Sequence, residues 1–89
     1  MALTLTAEVY LDDIAVTLAN VLATANKRAS ALGIDVAESL LTISQRFKTD
    51  GLVWRINYGR KEYINCRGGD LIVDVAAHRG EVEQVLWGQ

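Results

Sequence analysis

The chain has 89 residues, 51% of them hydrophobic and 22% charged, with a formal net charge of −2 and a pI of about 5.2. That apolar content excludes a disordered chain, and the near-neutral balance provides no bulk attraction to nucleic acid or to an anionic membrane. One small domain over residues 1–89 is expected, with a thin core to which dimerisation would add burial.

Residues 2–11 carry two patterns at once. Leu3, Leu5, Ala7, Val9 and Leu11 alternate with Thr4, Thr6, Glu8 and Tyr10, which reads as a strand over residues 3–9. The alternative is a helix starting at Ala7, capped by Thr6 and with Glu8 in its first turn. From Asp12 the period changes. Leu11, Ile14, Leu18, Val21, Leu22, Ala25, Ala29 and Leu32 fall within an arc about 120° wide on a helix. Asp12 and Asp13 suit its N-terminus, Lys27 and Arg28 lie near its C-terminal end, and Gly33 stops it. Val16, Ala19 and Ala23 form a second, shallower stripe, small enough to admit another helix, although alanines are also simply good helix formers.

Asp35-Val36-Ala37-Glu38 has the form of a capping box with Asp in the first place, so a second helix is expected after a very short turn. Val36, Leu40, Ile43 and Phe47 would line its apolar side, with Glu38, Thr42, Gln45 and Arg46 opposite, and Thr49-Asp50-Gly51 would end it. Ala29–Ile34 followed by a helix and a hairpin also has the glycine turn of a winged helix-turn-helix. Ser39 and Thr42 stand where that motif needs core residues, so a plain helical hairpin is the preferred reading.

Leu52–Ala76 reads as a three-stranded antiparallel meander: 52–58, 62–67 and 71–75 each alternate apolar and mixed residues. Opposite residues share a face, so face matching selects the loops. A three-residue loop at Gly59-Arg60-Lys61 sets Ile56 opposite Ile64, Trp54 opposite Cys66 and Arg55 opposite Asn65. A two-residue loop at Gly68-Gly69 sets Cys66 opposite Leu71, Ile64 opposite Val73 and Arg67 opposite Asp70. The inner face is then Leu52, Trp54, Ile56, Ile64, Cys66, Leu71, Val73 and Val75. The outer face is Val53, Arg55, Asn57, Tyr63, Asn65, Arg67, Ile72 and Asp74. Ala77–Gly80 reads as a turn and 81–87 as a fourth strand, with a short helix as its alternative. The expected architecture is α+β: a two-helix hairpin packed on a three- or four-stranded antiparallel meander, with a possible extra N-terminal strand. The chain contains no proline and shows no repeat or low-complexity tract at which to divide it.

Residues 46–67 concentrate positive charge. Arg46, Lys48, Arg55, Arg60, Lys61 and Arg67 face only Asp50 and Glu62, and Trp54, Tyr58 and Tyr63 are interleaved. Such a pattern can bind phosphates and stack bases. The register separates it, placing Trp54 inside and Tyr63 outside, and pairs Arg67 with Asp70, which favours a solvated, locally paired sheet surface. The single histidine, His78, excludes a two-histidine metal site and reads as a surface imidazole. The single cysteine, Cys66, reads as a packed thiol. Asp70 and Asp74 share a strand face, but Arg67 and Tyr63 offer them structural partners, which argues against a catalytic carboxylate pair. Gly68-Gly69 is too short and wrongly placed for a phosphate-cradling loop.

No catalytic residue, metal ligand or cofactor is therefore expected. The sequence points to a non-enzymatic interaction or regulatory module that works as a homo-oligomer, such as a homodimer, or with another protein. It would act through the sheet's outer face or an edge strand. The binding candidates are Val53, Arg55, Arg60, Lys61, Tyr63, Arg67 and Ile72, whose mix of arginine, aromatic and aliphatic residues suits an interface. A nucleic-acid-binding regulator using the basic 46–67 segment is the alternative. With no basic n-region and no long apolar run, a cytoplasmic chain without membrane association is the default expectation.

Overall fold

A computed structural model of the protein describes residues 4–49, 51–60 and 70–88. The element order is α1 (Ala7–Tyr10), α2 (Asp13–Ala31), a single 3-10 turn (Val36–Glu38), β1 (Ser39–Lys48), β2 (Gly51–Arg60), β3 (Leu71–Ala76) and β4 (Glu81–Trp87). The four strands form one antiparallel sheet in the order β1-β2-β3-β4, with α2 lying across β2, β3 and β4.

The expected long helix is present. Asp12 takes the N-cap position with extended backbone, and its Oδ1 accepts a hydrogen bond from the Ala15 amide at 3.0 Å. At the other end the Gly33 amide donates to the Ser30 carbonyl, and Gly33 itself has φ of +91°, the left-handed conformation a helix C-terminus favours in glycine.

Two sequence expectations are overturned. Among the described residues of the expected strand 3–9, Ala7–Tyr10 is a helical turn rather than a strand. The Thr6 carbonyl accepts from the Val9 amide at 3.0 Å, and the Leu11 amide donates to Ala7 at 3.0 Å. The alternation of Leu5 and Leu11 with polar residues buries neither of them, so nothing holds the segment extended. The second correction is larger. The segment read as a second helix is a 3-10 turn followed by the ten-residue strand β1. Asp35 makes no side-chain cap; instead the Ser39 hydroxyl donates to the Asp35 carbonyl at 2.8 Å, closing the turn. Residues 40–47 satisfy both periods, because the helical set Leu40, Ile43 and Phe47 overlaps the alternating set Leu41, Ile43 and Phe47. Ser39, Thr42, Ile43 and Ser44 are mediocre helix formers. As a strand the segment gains ten consecutive pairings with β2, among them Ile43 with Ile56, Leu41 with Tyr58 and Phe47 with Leu52.

The predicted meander is also re-wired. Strand β2 pairs directly with β3, setting Trp54 opposite Val75, Ile56 opposite Val73 and Tyr58 opposite Leu71. β3 pairs on its other side with β4. The expected middle strand 62–67 and its partners Ile64, Asn65 and Cys66 lie outside the described residues, as do the two loops proposed to flank it. Its expected place between β2 and β3 is taken by their direct pairing. The inner-face parity nevertheless holds for Trp54, Ile56, Leu71, Val73 and Val75, which are all buried. The fourth strand is present, and Ala77–Gly80 forms the turn before it.

The core lies between α2 and this face. Val21, Ala25 and Ala29, four residues apart, stack over Trp54, Ile56, Tyr58, Leu71, Val73 and Val75, with Leu18, Leu22, Ile34, Val36, Val82 and Val85 around them. Two alanines in that stripe let the helix sit close to the sheet. The helix, about 28 Å long, exceeds the roughly 20 Å of β3. Its expected apolar stripe is therefore buried only in the middle, and Leu11, Ile14 and Leu32 are exposed.

Tyr58 ties the two layers together, donating its hydroxyl to Asn26 Oδ1 on α2 at 2.6 Å. Burial pushes its phenol up from 10.0 to about 12. The native state thus holds this proton more tightly than the unfolded chain does, so the stability from the neutral phenol is complete below pH 10 and is lost as pH rises from 10 to 12. In urea titrations the protein is expected to lose stability as pH rises through that range, and Tyr58→Phe to be less sensitive over the same interval.

Candidate interaction surface

The two edges of the sheet differ. β4 is interrupted by a register shift opposite Asp74 and Val75 and carries Glu81 and Glu83, with Glu83 bound by Arg79 at 3.2 Å and by Lys48 at 3.1 Å. Bulges and charges of this kind discourage pairing with another chain. β1 has neither a bulge nor a proline, and its ten pairings with β2 run without a shift. Among the described residues nothing pairs with its other side.

The backbone of β1 presents a regular set of hydrogen-bonding groups to that side. β1 and β2 are separated by two residues, and a two-residue hairpin closes on a pair that exchanges both bonds, here Lys48 and Gly51. Counting back in twos, Arg46, Ser44, Thr42 and Leu40 turn their amides and carbonyls to β2. Phe47, Gln45, Ile43 and Leu41 turn theirs outward. The side chains of this second group lie on the α2 side of the sheet, level with Trp54 and Ile56, but α2 does not reach over them. Leu41 and Ile43 are exposed, and Phe47 is 87% exposed. Leu40, on the opposite face with Thr42, Ser44, Arg46 and Lys48, is exposed as well.

The expected site residues are dispersed. Val53, read as an exposed position on the outer face, is 2% exposed and pairs with the equally buried Ala76. The Lys48–Glu83 ion pair spans the outer face at this end of the sheet, linking the first and fourth strands. Arg55 lies opposite Asp74, not Asn65, and grips it with two bonds, Nε to Oδ1 at 2.8 Å and Nη2 to Oδ2 at 3.0 Å. The hydrogen bonds that Arg55 donates to Asp74, and the negative charge of that carboxylate, hold the Arg55 guanidinium above its ordinary pKa, against the opposing effect of burial. Ile72 is half-buried between Asn57 and Leu86. Arg60 ends β2 opposite Ser39. Lys61, Tyr63 and Arg67 lie outside the described residues, as does the expected Arg67–Asp70 pairing.

Asp74, 1% exposed and held by Arg55, is a structural carboxylate. Asp70 lies beside Gly59, where a Cβ would come within 3.5 Å of its carboxylate. His78 packs over Gly51, its ring 3.3 Å from where a Cβ would stand. Among the described residues no cluster of three or more histidine, cysteine or acidic side chains could hold a metal, and no helix is long and apolar enough to cross a membrane. In the basic segment, Arg55 and Lys48 are already engaged with Asp74 and Glu83.

The surface that stands out was read in the sequence as one side of a helix. The signal that could have revealed it is the alternation Leu41, Ile43, Gln45, Phe47 against Thr42, Ser44, Arg46, Lys48 directly before a second alternating run. Comparison with protein-family models, with curated proteins and with solved structures finds no match.

Breaking the Arg55–Asp74 pair from one side leaves a charge without its partner. Asp74→Ala is expected to cost about 2–3 kcal/mol in urea unfolding, below the 3–5 kcal/mol typical of fully buried pairs because Arg55 retains contact with water. The double variant Arg55→Met with Asp74→Leu is expected to recover most of that loss, and a double-mutant cycle measures the coupling.

Proposed function

We propose that this protein is a small non-enzymatic interaction module that self-associates and engages protein partners by strand addition along β1. One observation carries the reading: a ten-residue, unshifted edge strand pairs on one side alone among the described residues and exposes Leu40, Leu41, Ile43 and Phe47. An open edge supplies main-chain hydrogen bonds for affinity, and its alternating side chains supply selectivity. Water satisfies those backbone groups in the isolated chain, so the net driving force comes from covering the apolar side chains. On the opposite edge the bulge with Glu81 and Glu83 guards the first half of β4.

The expected outer-face surface contributes less. Val53 is buried and Arg55 is held by Asp74, so the interaction reading moves from the middle of the sheet to its rim. Replacing Leu41 and Ile43 together by lysine tests the reading, because both side chains are already exposed and the fold should persist, seen as an unchanged far-ultraviolet spectrum. Sedimentation velocity and partner capture are expected to show loss of association. A variant that keeps the parent's mass and partners would falsify the assignment to β1.

A further inference from the structure

The edge strand is complementary to itself, and we infer that its occupant is a second copy of this chain. The two β1 strands pair antiparallel about a two-fold axis through Ser44 to make one continuous eight-stranded sheet. The inference rests on the reading of β1 as the association edge and adds the partner, the symmetry and the register.

Charge favours this occupant. β1 is entered from Asp35 and Glu38 and leaves through Arg46 and Lys48, of which Lys48 is bound to Glu83 of its own chain. Antiparallel pairing of two copies brings the acidic end of each strand to the basic end of the other, whereas parallel pairing would align like charges. The free backbone also matches itself. The outward-facing amides and carbonyls belong to Leu41, Ile43, Gln45 and Phe47, so bonded pairs must join odd-numbered residues to odd-numbered residues.

Symmetry narrows the register further. A two-fold axis that makes neighbouring edge strands antiparallel runs perpendicular to the sheet and keeps both α2 helices on the same face. Opposite residues then share a face, and their numbers differ by an even count. For a strand running from 39 to 48, two such registers pair nine residues of each copy. Centring on Ile43 puts Phe47 opposite Ser39 and Leu41 opposite Gln45. Centring on Ser44 puts Phe47 opposite Leu41 twice over, with Ile43 opposite Gln45, and thus covers the most exposed large apolar side chain among the described residues. On the other face this register sets Thr42 opposite Arg46 and Leu40 opposite Lys48. The helices flank a trough floored by Leu41, Ile43 and Phe47 from both copies.

Ser44 sits on the axis at a position where the strands exchange no backbone bonds and side chains come closest, a spacing that accepts a disulfide. The test places Ser44→Cys, Ile43→Cys and Thr42→Cys separately in a Cys66→Ser background of the full chain and oxidises each in a glutathione buffer. Ser44→Cys is expected to form the covalent dimer far more completely than Ile43→Cys or Thr42→Cys. The unmodified chain is expected to sediment at twice its 9.8 kDa mass. In a chain that keeps Cys66, Phe47→Glu is expected to raise the dimer dissociation constant about tenfold or more without changing the folded spectrum. This second readout is independent of whether Cys66→Ser folds. A monomeric parent at all concentrations overturns the inference, as does a dimer unaffected by Phe47→Glu or cross-linked better through residue 43 or 42. If the parent is monomeric yet the Leu41 and Ile43 lysine variant loses a protein partner, self-pairing fails while strand addition at β1 stands. If that variant loses nothing, both fail.

Discussion

The direct pairing of β2 with β3 is the constraint from which the remaining structure follows. It aligns Trp54, Ile56 and Tyr58 with Val75, Val73 and Leu71 on one face, a continuous apolar surface that only an amphipathic helix can cover. α2 supplies Val21, Ala25 and Ala29 at that contact, and the Tyr58–Asn26 hydrogen bond sets the helix against the strands. On the other face the same pairing brings Arg55 to Asp74, so one register satisfies the core and also neutralises a buried carboxylate. A shift by one residue would invert both faces together.

Because α2 is committed to β2, β3 and β4, β1 is left as an arm of the sheet with β2 as its single neighbour among the described residues. Its stability within the chain comes from the ladder to β2 and from opposed side chains, not from burial under a second layer. The same arrangement that completes the core thereby leaves an apolar rim. A small domain gains little from extending its own core to cover such a rim, and in the pairing proposed above a second copy would cover it instead.

The legible and illegible parts of the sequence divide by how many structures each pattern permits. Asp12 to Gly33 allows one conformation, with a capping aspartate, a 3.6-residue period and a terminal glycine agreeing over five turns, and the helix Asp13–Ala31 is the result. The faces of 52–58 and 71–75 were likewise legible, because alternation assigns a side without requiring knowledge of the neighbour. The neighbour itself was not legible: matching faces across short loops joined β2 to 62–67, whereas the apolar set of β3 matches β2 just as well, and local closure could not weigh a pairing across a longer connection. For Leu40–Phe47 the apolar residues fit both a helix and a strand, and the Asp35 to Glu38 spacing suggested a cap that forms only when a helix follows. Parity places Val53, Arg55 and Ile72 on one face, but parity says nothing about depth, and Val53 is buried.

By itself, then, the sequence determined the long helix, its ends, the alternating faces of the central strands and the α+β class, since each depends on periodicity and capping within a few residues. The tertiary structure alone decided which strands are neighbours, that residues 39–48 extend as a strand, that Arg55 belongs to Asp74, and that β1 has a single strand partner among the described residues. These are outcomes of competition between distant partners for the same hydrogen bonds and the same apolar surface, and a local pattern that satisfies two conformations equally is settled only by which partner arrives to pair with it.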